Sequence, residues 1–74
     1  MQAITESKLK SGKEFVFETP QKKFLYFYYS DYVDSYMIYL NDEIIGHYKG
    51  FDYALLNLKK FKKEYKAKFK TVYN

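Results

Sequence analysis

Six consecutive large side chains, Phe24-Leu25-Tyr26-Phe27-Tyr28-Tyr29, constrain the fold more than anything else in this 74-residue chain. Extended backbone sends neighbouring side chains to opposite faces, so Phe24, Tyr26 and Tyr28 fall on one side and Leu25, Phe27 and Tyr29 on the other. A strand of this kind must be covered on both faces or leave one aromatic face to a partner. Covering both is hard here. A chain this short buries only ~60–65% of its unfolded surface. With no cysteine it has neither a disulfide staple nor a thiolate metal site. Ten tyrosines and seven phenylalanines supply the missing area, since each ring removes ~150–250 Å² from water.

Further strands read off the same alternation. Glu14-Phe15-Val16-Phe17-Glu18 places Phe15 and Phe17 on one face, and Thr19-Pro20-Gln21-Lys22 turns the chain, because proline fixes φ and cannot donate to a ladder. Tyr36-Met37-Ile38-Tyr39-Leu40 and Ile44-Ile45-Gly46-His47-Tyr48 flank Asn41-Asp42, which predicts a tight hairpin with the positive φ values of a type I′ turn. From residue 51 the period changes. Asp52 is the expected N-cap, with Phe51 and Leu56 as a hydrophobic staple. Ala54, Leu55, Leu58, Phe61, Tyr65 and Phe69 then recur at helical spacing, with Lys59, Lys62, Lys63, Lys66 and Lys70 on the other side. The expected architecture is α+β: a single domain over residues 1–74, with an antiparallel sheet of three or four strands within 13–48. One long C-terminal helix over 51–70 packs on one face, and residues 1–12 form an arm or a short helical turn. The other sheet face is then exposed and tyrosine-rich, and open sheet edges invite dimerisation.

Charge is unevenly spread along the chain. Residues 24–48 contain no lysine, seven tyrosines and four acids, Asp31, Asp34, Asp42 and Glu43. Residues 49–74 carry eight lysines against Asp52 and Glu64, and the chain has no arginine. Asymmetry of this kind reports on partners rather than on folding.

Three classes of function can be weighed against these residues. An enzyme fares worst. The single histidine, His47, sits in a strand with no nucleophile beside it, Asp42 and Glu43 are adjacent and point apart in extended chain, and no glycine-rich phosphate cradle is present. No metal or cofactor is expected. Direct DNA binding fares better, because a lysine stripe can neutralise phosphates, and Ile45-Gly46-His47-Tyr48 leading to Ala54 loosely resembles the end of an AP2 or integrase arm-binding domain. That resemblance implies a sheet entering a DNA groove. The segment that would enter is acidic, however, and bidentate guanine reading is mostly the work of arginine. A protein-binding module fits best, since tyrosine is enriched at interfaces and orders at low entropic cost. Carboxylates spaced on a rigid sheet can imitate phosphates to a protein that normally holds nucleic acid. The expected contact set is Tyr26, Tyr28, Asp31, Tyr32, Asp34, Tyr36, Tyr39, Asp42 and Glu43. The alternative phosphate-binding set is Lys59, Lys62, Lys63, Lys66 and Lys70.

In length, in its arginine-free Lys/Tyr/Phe-rich composition and in its acidic tyrosine-rich middle, the chain resembles the small early proteins with which phages of low-G+C Gram-positive bacteria take over their hosts. Among these it most resembles the sliding-clamp inhibitors of staphylococcal phages; anti-CRISPR proteins and uracil-DNA glycosylase inhibitors share the size and logic. The resemblance implies a dimer in the cytoplasm of an infected bacterium that binds the replicative sliding clamp and stops it receiving DNA. A clamp's inner channel is positively charged, so an acidic, DNA-mimicking face is the ligand expected for it. No run of apolar residues approaches the ~20 needed to cross a bilayer, and the opening residues lack the pattern of a signal peptide.

Overall fold

The computed structural model describes residues 3–74 as a five-stranded antiparallel sheet packed against one long helix. A short helix α1 (Glu6–Lys10) precedes β1 (Glu14–Glu18), β2 (Phe24–Ser30), β3 (Ser35–Leu40) and β4 (Glu43–Tyr48); α2 (Phe51–Tyr65) and β5 (Lys68–Tyr73) complete the chain. The strand order is β4-β3-β2-β1-β5, so α2 carries the chain from one sheet edge to the other.

The side of the sheet that meets α2 follows the parity of β2. Phe27 pairs with both Phe15 and Ile38, and Leu25 with both Phe17 and Leu40. Phe15, Phe17, Leu25, Phe27 and Ile38 form one buried cluster with Ala54 and Leu58 of α2. Leu9 of α1 joins that cluster and is fully buried, so the N-terminal turn is tied to the core by ~1.5–3 kcal/mol of apolar burial. Thr5 caps α1 by accepting from the Lys8 amide at 3.2 Å. Ser11 and Gly12, at φ 105°, then turn the chain into β1.

The C-terminal region corrects the expected single helix over 51–70. Helix α2 stops at Tyr65, Lys66 takes left-handed φ 55° and ψ 38°, and β5 follows antiparallel to β1. Phe69 therefore leaves the helical stripe and meets Phe17 edge-on, with ring centroids 6.1 Å apart. Lys70 moves with it into β5. The start of α2 at Phe51 agrees with the expected 51–70, but its N-cap does not. Gly50 is the N-cap, Asp52 lies in the first turn, where its charge favours the helix dipole, and Leu56 is exposed rather than stapled to Phe51. The Asn41-Asp42 turn has positive φ only at Asn41 (54°), not at both positions as a type I′ turn requires. Asn41 instead bonds Phe24 twice, its backbone amide donating to the Phe24 carbonyl at 2.8 Å and its side-chain Oδ1 accepting from the Phe24 amide at 2.9 Å. With five strands, and one of them after the helix, the fold departs from the three-strand-plus-helix arrangement of AP2-type readers. None of the described helices is long and apolar enough to cross a membrane.

Candidate functional site

The sheet face away from α2 collects the other parity of each strand. Tyr26 pairs with Val16 on one side and Tyr39 on the other, and Tyr39 pairs with Ile44; Tyr28 pairs with Met37, which pairs with His47. Tyr28 and Tyr39 stack with centroids 5.8 Å apart and planes at 30°. Together with Glu14, Asn41 and Asp42, these tyrosines line an open depression of about 350 Å³. All three rings are half-buried, mostly by one another and by their strand neighbours, so their edges stay available.

Electrostatics in this depression favour an approaching cation. Burial pushes the Glu14 carboxyl above its usual range, which marks a partly desolvated acid. A cation meeting such a carboxylate interacts more strongly than it would in open water. Burial, and then the Tyr39 hydroxyl, push the Tyr28 phenol up to about 12, so Tyr28 stays neutral at physiological pH.

Of the expected contact set, the structure brings Tyr26, Tyr28, Tyr39 and Asp42 together. Tyr36 has to be removed from it. That ring is 1% exposed beneath α2, edge-on to Phe51 at 5.7 Å, with its hydroxyl donating to the Glu6 carboxylate. Glu43 is exposed but pairs with Leu40, and so stands on the helix-side parity. Asp31, Tyr32 and Asp34 occupy the β2–β3 loop, separated from Asp42 by the length of β3, ~20 Å at 3.3 Å per residue. Tyr32 is 94% exposed. Asp34 is not a free acid: the Tyr29 hydroxyl donates to it, and this bond, helped by Lys49 and Lys10, holds its carboxyl below the usual range against a smaller desolvation. Lys49 also clamps the loop, donating to the carbonyls of Val33 at 2.9 Å and Asp34 at 3.1 Å.

Sequence reasoning missed Glu14. Its signal was present, because in Glu14-Phe15-Val16-Phe17-Glu18 the acids share a face with Val16, opposite the two phenylalanines.

The alternative set of lysines is split by the fold. Lys59 and Lys63 stand exposed on α2, while Lys62 is half-buried with its ammonium 4.6 Å from the centre of the Phe17 ring. Lys66 and Lys70 belong to the helix terminus and to β5, so no continuous five-lysine helix face forms. Among the described residues, no three His, Asp or Glu side chains gather at metal-binding spacing. Compared with protein-family models, with curated proteins and with solved structures, the chain matches none.

Proposed function

We propose that the chain is a non-enzymatic, phage-type inhibitor that binds a host protein normally occupied by DNA. The favoured target is the replication sliding clamp, and the effect is to block its access to DNA. The observation that carries this reading is the division of the molecule into two layers. The depression formed by Tyr26, Tyr28, Tyr39, Glu14 and Asp42 lies on the sheet face opposite α2, while Lys59, Lys60 and Lys63 are exposed on the helix layer. A basic, DNA-handling surface can therefore meet phenol rings and carboxylates without meeting the helix ammonium groups. Rigid aromatic rings at the centre with acids at the rim is the usual anatomy of an interface for a basic partner.

Capture of the partner from a Gram-positive lysate, using the wild-type chain and the Glu14→Lys/Asp42→Lys variant, tests the reading. The wild type is expected to retain a DNA-handling protein, and the folded variant to lose it. Retention by the variant would remove the acidic face as the interface. The alternative, a small DNA-binding protein contacting phosphates through the helix lysines, predicts a low-salt duplex gel shift that is lost in Lys59→Gln/Lys63→Gln.

A further inference from the structure

Four non-glycine residues adopt positive φ: Lys22 (65°), Asp34 (50°), Asn41 (54°) and Lys66 (55°). Asp and Asn tolerate this region because their short polar side chains bond locally, whereas lysine has no such compensation. The two lysines lie 44 residues apart in sequence, one in the β1–β2 turn and one at the α2 terminus, yet they line the same cleft. Each is a local chain reversal: Lys22 closes the β1–β2 turn with its amide on the Thr19 carbonyl, and Lys66 ends α2 with its amide on the Lys62 and Lys63 carbonyls, so two separate reversals bring lysines to one cleft.

The cleft has a volume of about 540 Å³ and is lined by Glu18, Thr19, Pro20, Lys22, Lys66, Lys68, Phe69 and Lys70. Four lysines and one carboxylate line it. Glu18 is shared between Lys22 at 3.9 Å and Lys70 at 3.5 Å and offsets only one of the four positive charges. Phe69 sits among them 37% exposed, held edge-on by Phe17 behind it. A glycine at position 22 or 66 would satisfy the turn or the helix stop at lower backbone cost, so what lysine adds at these positions is its charge.

We infer that this cleft is a binding site for single-stranded nucleic acid. The lysines contact successive phosphates and Phe69 offers a ring for a base to stack on. A cationic groove with an aromatic platform is the arrangement that holds single strands without reading their sequence. The site is separate from the tyrosine depression and does not depend on the inhibitor reading. It also differs from a helix-face phosphate site, since neither Lys59 nor Lys63 lines it.

Fluorescence anisotropy of a labelled twelve-nucleotide oligo-dT, titrated with the full chain from low to moderate salt, tests the inference. Neutralising about three phosphates predicts a log–log salt slope near −2, from ~0.7 per phosphate for single strands. The Lys22→Gly/Lys66→Gly variant should lose affinity, roughly tenfold per lysine at low salt by the same relation, while its melting temperature rises because the backbone strain is relieved. Phe69→Leu should weaken oligo-dT binding about fivefold or more, from the ~1–3 kcal/mol of base stacking, and leave binding of inorganic polyphosphate unchanged. Lys59→Gln/Lys63→Gln should leave oligo-dT binding in place. Absence of oligo-dT binding would overturn the inference. So would equal loss in the helix-lysine variant, or polyphosphate and duplex binding as tight as that of the oligonucleotide.

Discussion

The two faces of the sheet are built from the same residue types and do opposite things. Under α2, Phe15, Phe17, Leu25, Phe27, Tyr36 and Ile38 are sealed, and the one polar atom among them, the Tyr36 hydroxyl, is matched to Glu6. On the other face, Tyr26, Tyr28 and Tyr39 cover one another and leave their hydroxyl edges and the neighbouring acids in reach of solvent. The difference lies in what covers the rings, not in the rings themselves. A helix of 15 residues buries one face of a five-stranded sheet, and the surplus tyrosines are left to supply a surface.

Adjacent residues of β2 give the sharpest contrast. Phe27→Ala should destabilise the chain by about 3–5 kcal/mol, because it opens a cavity in a core with little else to collapse into it. Tyr26→Ala, one position earlier and facing the other way, should cost on the order of 1 kcal/mol. Urea unfolding of both variants checks the contrast; equal losses would mean that the two faces are energetically alike. Tyr36→Phe should cost about 1 kcal/mol, since it removes the buried hydroxyl's bond to Glu6 and leaves that carboxylate only its exposed pairing with Lys10 at 3.8 Å. Its signature is faster amide exchange in α1 without a change at Tyr39.

Gly46→Ala acts on the covered side of β4. A methyl there would stand 2.5 Å from the Tyr48 hydroxyl and 2.8 Å from its ring, which must swing away from Tyr53. Because the clash is with the far end of a side chain, the expected cost is only about 1 kcal/mol, read as a small fall in melting temperature. The smallest effect is alkaline. Tyr28, raised from 10.0 to about 12, holds its proton more tightly folded than unfolded. The stability it contributes is complete below pH 10 and drains away as pH rises from 10 toward 12. Tyr28→Phe should flatten that part of the pH–stability curve, and an unchanged slope would show that Tyr28 titrates alike in both states.

Much of the fold was legible because four strands and the start of α2 announce themselves by period and by turn residues. Strand β5 was not. Tyr65 and Phe69 continue the four-residue spacing of the helix, and no glycine or proline punctuates Lys66-Ala67-Lys68. The stop is made by a lysine in left-handed conformation, a choice that only pairing with β1 rewards. The β-branched and aromatic run Thr71-Val72-Tyr73 was the available signal for a final strand. Half of the candidate site was hidden for a related reason. Tyr36-Met37-Ile38-Tyr39 is apolar at both parities, so alternation cannot say which tyrosine turns inward. Register against β2 decides it, placing Tyr36 with the covered Tyr29 and Tyr39 with the open Tyr26. Asp34 of the β2–β3 loop looked free because its partner is the Tyr29 hydroxyl, and Lys49, which holds the loop's carbonyls, lies just outside the lysine-free window.

The proposed inhibitor function requires the open sheet face to be the surface that meets the host protein. Calorimetric titration of a purified bacterial sliding clamp with Tyr39→Ala/Asp42→Lys and, in parallel, with Lys59→Gln/Lys63→Gln measures this most directly. The sheet-face variant should lose affinity by about 100-fold or more, as expected for an anchoring ring and its neighbouring charge, while the helix variant binds as the wild type does. Undiminished binding by the first variant, or loss confined to the second, would contradict it.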